Sequence, residues 1–208
     1  MYRTVSRLLI FVVLPIAMQA RALADQPVVE AVFSPQQLVE KLRQGGYTLY
    51  FRHAATDHMN DDHHPVDLED CSTQRNLASE GRADARAIGE SIARLGIRIG
   101  DVQTSPYCRC RDTAQLAFGR HQPNESLYYA VTAGPEERKK ISDALRAMLA
   151  TTPEAGMNNV IVSHTANLRE ASGIWPKPEG VAWVLQADGQ GGFRALGKVE
   201  PDEWAELH

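Results

Sequence analysis

Apolar residues follow two rhythms along this chain. Short unbroken runs, Thr48-Leu49-Tyr50-Phe51 and Asn159-Val160-Ile161-Val162-Ser163, read as strands buried on both faces. Apolar residues three and four apart read as helices. One begins at Ser34-Pro35, places Leu38, Val39 and Leu42 on one face, and ends at Gly45-Gly46. A second is capped by Ser79 and reaches about Leu95, with Ala85, Ile88, Ile92 and Leu95 in line and Gly96 after it. Arg109 to Phe118 forms a third, closed by Gly119, and Pro135 opens a long one with Ile141, Leu145, Met148 and Leu149 facing in. Asn167 to Ser172 is a short fifth helix.

Between these lie further strands. Asp101 to Thr104 and Leu127 to Val131 are short, and Val181 to Gln186 with Phe193 to Val199 form a closing pair around Asp188-Gly189-Gln190-Gly191-Gly192. Asp202 to Leu207 reads as a last helical turn. The stretch from Asp57 to Cys71 is a polar loop, too acidic and irregular to pack. Strands alternating with helices predict an α/β fold with a mostly parallel central sheet, covered on both faces.

The first 24 residues change the picture. Arg3 and Arg7 precede an apolar core from Leu8 to Met18, and Ala22-Leu23-Ala24 makes an A-x-A cleavage signal before Asp25. That order is expected of a secretory signal peptide, and the core is too short for the roughly 20 residues of a spanning helix. The expectation is an exported protein, periplasmic or secreted, with one domain over 25–208 and no stable membrane insertion after cleavage. Loss of Arg3, Arg7 and Arg21 takes the net charge from −4 to −7. A net acidic surface argues against nucleic-acid binding, which needs a basic face. Any anion site must be a local positive pocket.

An oxidising compartment favours a disulfide among Cys71, Cys108 and Cys110. A bond across Cys108-Arg109-Cys110 would be strained, so Cys71 pairs with Cys108 or Cys110, Cys108 first. The odd cysteine stays free or buried. C-x-C with one distant cysteine is a weak zinc signal.

The chemistry gathers at strand ends. Arg52-His53 follows the first strand, His164 ends the Asn159 to Ser163 strand, and Arg109 opens a helix after the Asp101 to Thr104 strand. Open α/β sheets bind ligands at the carboxyl ends of their strands. Two histidines and two arginines there suit a dianion, with one neutral imidazole as nucleophile on phosphorus and arginine forks on the phosphate oxygens.

These residues carry a family resemblance. Arg52-His53-Ala54-Ala55-Thr56, Leu77-Ala78-Ser79-Glu80-Gly81-Arg82-Ala83-Asp84-Ala85, the segment Ser105 to Ala114 and Val162-Ser163-His164 stand in the order found in the histidine phosphatase superfamily, the phosphoglycerate mutase-like and acid phosphatase-like group. The resemblance spans about residues 48 to 170. It implies a three-layer α/β/α sandwich, no metal or organic cofactor, and hydrolysis of a phosphomonoester, the small phosphorylated partner, through a phosphohistidine on His53. Arg52 and Arg109 would clamp the phosphate, His164 would donate to a phosphate oxygen, and Thr56 would line the site. The alternative is a catalytically inactive phosphate-binding or regulatory module of the same fold.

Two positions depart from the family pattern. Ala54 stands where the motif has glycine, a strain of roughly 1 kcal/mol if the backbone there is left-handed. The proton donor for the leaving oxygen is open among Asp57, Glu136, Glu137 and Glu179, with Glu179 ranked first because it precedes Gly180 where the chain returns to the sheet. The acidic, histidine-bearing loop from Asp57 to His64 reads as solvated, or as a lid over the pocket. Arg75 and Arg82 read as surface or loop residues.

Overall fold

The computed structural model describes residues 33–208, and the segment expected to be a leader, with its expected cleavage point, lies outside them. Six strands form one sheet in the order β3-β2-β4-β1-β5-β6. They are β1 (Thr48–Arg52), β2 (Ile99–Thr104), β3 (Gln122–Pro123), β4 (Asn158–Ser163), β5 (Ala182–Ala187) and β6 (Phe193–Val199). β3, β2, β4 and β1 run parallel, while β5 pairs antiparallel with β1 and with β6.

Strand alternation sorts side chains into two layers. Leu49 and Phe51 of β1, Val160 and Val162 of β4 and Val184 of β5 face one way. They pack against α1 (Pro35–Gln44), α2 (Ser79–Arg94) and α3 (Cys108–Phe118) through Leu38, Leu42, Ile88, Ile92 and Ala114. Tyr50, Ile161 and Leu185 face the other way, against Leu145 and Leu149 of α4 (Pro135–Leu149) and Leu168 of α5 (Thr165–Ser172). Each such side chain taken fully out of water contributes about 1.5–3 kcal/mol. The result is the expected three-layer sandwich.

Two local readings need correction. Leu127 to Val131 is no strand: Glu125–Leu127 is a 3₁₀ turn, followed by further turns, and the short edge strand is Gln122–Pro123. The side chains of Leu127 and Ala130 are buried against α4 and α5, so the apolar run records packing rather than a ladder. Ser79 is the first residue inside α2, and its N-cap is Ala78, with no side-chain cap bond. The condition for strain at Ala54 is not met, because no described non-glycine residue has positive φ.

The parallel strands deliver their carboxyl ends to one edge. Arg52 of β1 lies opposite Ser163 of β4, and the His53 amide extends that ladder with a 3.0 Å bond to the Ser163 carbonyl. Ser105, just past β2, donates its amide to the Val162 carbonyl at 2.9 Å. One edge of the sheet thus carries His53, His164 and the approach to α3.

Candidate active site

His53 and His164 face each other with ring centroids 5.6 Å apart, and both are almost wholly buried. His53 Nδ1 lies 3.0 Å from the Ala54 carbonyl oxygen. A carbonyl can only accept, so Nδ1 carries the proton and Nε2 keeps its lone pair. Burial, and the charges of Arg109, Arg52 and Arg75, hold the His53 imidazole well below the usual histidine range, against the pull of the Ala54 bond. His164 is driven the same way by burial first, then by Arg109, with His53, Arg75 and Arg52 adding to it. Both rings are therefore neutral at pH 7.

His164 is tightly seated. Its Nε2 lies 2.8 Å from Ser105 Oγ, its carbonyl accepts the Tyr50 hydroxyl at 2.7 Å, and the Tyr129 and Tyr107 rings stand 4.6 and 5.2 Å away. The free thiol of Cys110, 3.7 Å from Nε2, is buried and pushed up to about 12.

Arg109 is fully buried on the first turn of α3. Its guanidinium lies 4.5 Å over the Tyr107 ring, and Nη1 pairs with Asp62 at 2.9 Å. Its Nε and Nη2 are buried without a hydrogen-bond partner, as are Nε of Arg52 and Nε of Arg75. Buried donors left unpaired cost free energy, about 1–3 kcal/mol each, and an anion would satisfy them.

Glu179 stands on the other side of His53. One oxygen accepts Arg52 Nη2 at 2.8 Å, the other accepts the Thr56 amide at 2.9 Å, and the Thr56 hydroxyl donates at 3.1 Å. His53 approaches this carboxylate through Nδ1, at 4.0 Å, and not through Nε2. The placement follows from backbone docking: Gly180 donates to the His53 carbonyl at 2.9 Å, and Arg52 donates to the Val181 carbonyl. Gly180 has φ +80°, and a Cβ there would stand 2.8 Å from Pro201 Cγ, so the turn requires glycine.

The other carboxylates lie apart. Asp57 accepts the Met59 amide and Asn60 Nδ2 within its own turn. Glu136 and Glu137 are exposed on the first turn of α4, with Glu137 3.4 Å from Lys140.

Arg75 and Asp62 are the residues that sequence reasoning missed. Both sit in the polar stretch between β1 and α2, and a disulfide joining Cys71 to Cys108 draws that stretch onto α3. Gln74 Oε1 accepts the Cys108 amide at 2.9 Å beside it. The predicted cysteine pair was the available signal, since Arg75 follows Cys71 by four residues.

The histidine phosphatase superfamily (branch 1) matches residues 49–129. No curated protein matches the sequence. Solved structures do. The protein histidine phosphatase SixA, complexed with tungstate, shares 13% identity at TM-score 0.52, covering 76% of this chain and 98% of its own. Bacillus stearothermophilus YhfR shares 16% at TM-score 0.52, covering 72% and 94%. The putative phosphohistidine phosphatase SixA from Agrobacterium tumefaciens shares 21% at TM-score 0.51, covering 75% and 98%. Residues 49–129 thus match the histidine phosphatase superfamily in sequence, and the fold over most of the chain is similar to that of these solved structures, with two histidines at adjacent strand ends.

Proposed function

We propose that this protein is a phosphatase that hydrolyses a phosphomonoester through a phosphohistidine on His53. The observation that carries the reading is the fixed His53 tautomer: Nδ1–H is spent on the Ala54 carbonyl, leaving a neutral Nε2 among three arginines. Nε2 attacks phosphorus, the bond to the leaving oxygen breaks, and that oxygen takes a proton from solvent water. Water then attacks the phosphohistidine, which returns the imidazole and releases inorganic phosphate. Arg52 and Arg109 hold the phosphate oxygens, with Arg75 as a third cation, and stabilise the charge that spreads over them in the transition state. His164 donates to a phosphate oxygen.

Glu179 enters this reading in a changed role. The leaving oxygen lies in line with Nε2 beyond phosphorus, whereas Glu179 lies on the Nδ1 side with both oxygens engaged. It fixes Arg52 and the Thr56 turn, and Thr56 reaches the site through it. The bound tungstate of SixA, an oxyanion like phosphate, is in keeping with an anion pocket on this fold. Export belongs to the same reading: the leader pattern supports it, and a disulfide fits an oxidising compartment.

The test is turnover of p-nitrophenyl phosphate, with a phosphoprotein and a phosphorylated metabolite panel to find the physiological ester. Acid-labile label on His53 from a labelled substrate is expected, and His53→Ala is expected to abolish turnover while keeping the fold. Normal turnover by His53→Ala would refute the covalent route. Phosphate binding without any turnover would favour the inactive binding module instead.

A further inference from the structure

We propose that Asp62 is the positioning residue of this site, selecting which edge of Arg109 meets the phosphate. The inference rests on the phosphatase reading above. A guanidinium has two donor edges suited to an oxyanion, and a phosphate held by one sits in a different place from a phosphate held by the other. Asp62 removes the ambiguity. Its Oδ1 and Oδ2 take Arg109 Nη1 at 2.9 and 3.2 Å, and the same Nη1 donates to the Arg75 carbonyl at 3.4 Å. Nη1 is thereby committed, while the edge made by Nε and Nη2 stays buried and unpartnered. Tyr107 covers one face of the group. What remains is one fork of two parallel donors.

The same carboxylate sets Arg75. Asp62 Oδ1 accepts the Arg75 amide at 2.9 Å, so one side chain fixes the backbone of the third cation and the rotation of the second. Asp62 holds this place although it belongs to a loop whose neighbours Asn60, Asp61 and His63 are exposed; its own side chain is 12% exposed. The loop is held at its far end by the bond from Cys71 to Cys108 and by Gln74 on the Cys108 amide. Asp62 also carries a negative charge beside the anion pocket. It therefore weakens ground-state attraction for phosphate while ordering the fork that the transition state needs.

The experiment is a double-mutant cycle in the full chain with the disulfide intact. It compares wild type, Asp62→Asn, Arg109→Gln and the pair, reading kcat on p-nitrophenyl phosphate and inhibition by inorganic phosphate. Asp62→Asn is expected to lower kcat roughly 100-fold, the scale of a misplaced reacting group. Phosphate inhibition is expected to hold or tighten, because the repelling charge is gone. In the Arg109→Gln background the same change is expected to shift kcat by less than about threefold, since nothing is left to orient. Should Arg109→Gln fail to fold, Arg109→Lys replaces it, because lysine keeps the ion pair and has no fork. A wild-type kcat in Asp62→Asn overturns the inference alone, as does a full-sized loss in either Arg109 background. A wild type without turnover overturns the phosphatase reading and this inference with it.

Discussion

At the scale of single residues, the site combines neutral imidazoles with nearby cations. Three arginines around His53 favour its neutral form, the form able to attack phosphorus in the proposed reaction, and an arriving dianion pulls the other way. Arg52→Ala and Arg109→Ala are each expected to cost about 2–4 kcal/mol in transition-state stabilisation, read as kcat/KM on p-nitrophenyl phosphate. Arg109→Ala carries the larger structural risk, since it strands Asp62. Glu179→Gln separates two roles for that carboxylate. A residue acting through Arg52 and Thr56 slows good and poor leaving groups alike, whereas a proton donor matters mainly for the poor one. Equal losses on p-nitrophenyl phosphate and on alkyl phosphates are expected.

At the scale of elements, the decisive tie joins the stretch between β1 and α2 to the start of α3. The bond between Cys71 and Cys108 closes a separation of 37 residues and holds Asp62, Gln74 and Arg75 near Arg109. Cys71→Ser is expected to cost roughly 3–4 kcal/mol by urea denaturation. It is also expected to lower kcat/KM, because the arginines lose their registration before the sandwich unfolds. Alkylation of the denatured, unreduced protein should count one thiol, that of Cys110.

At the scale of the whole molecule, burying two neutral histidines makes stability depend on pH. Their folded pKa values lie below the unfolded value near 6.5, so the unfolded chain binds more protons as pH falls. This contribution is complete above about pH 6.5 and is lost as pH drops below it, at up to about 1.4 kcal/mol per unit per histidine. His121, lowered mainly by burial, adds in the same sense. Urea midpoints at pH 7.5 and 5.5 should differ accordingly, and His53→Asn should reduce the difference. Saturating phosphate should reduce it too, by offsetting the arginines. Export is tested on the same scale: mass spectrometry of the protein from its native host should find Asp25 at the N-terminus, and an intact Met1 would refute cleavage.

The framework was readable from the chain alone, because local patterns encode it. Unbroken apolar runs in Leu49 to Phe51 and Val160 to Val162, glycine and proline at helix ends, and motif residues just past strand ends led to a sheet covered on both faces and to Arg52, His53, Arg109 and His164 at one edge. The pairing of Cys71 with Cys108 was also legible, as the first of two options. The apolar run from Leu127 misled because burial under a helix leaves the same local trace as burial in a strand. Long-range contact settled the rest: Arg75 and Asp62 leave an apparently solvated loop to join the site, and Glu179 meets His53 on its protonated side. The bonds that draw Asp62 and Arg75 onto Arg109 span 47 and 34 residues, and no local spacing records such a bond before the chain has folded.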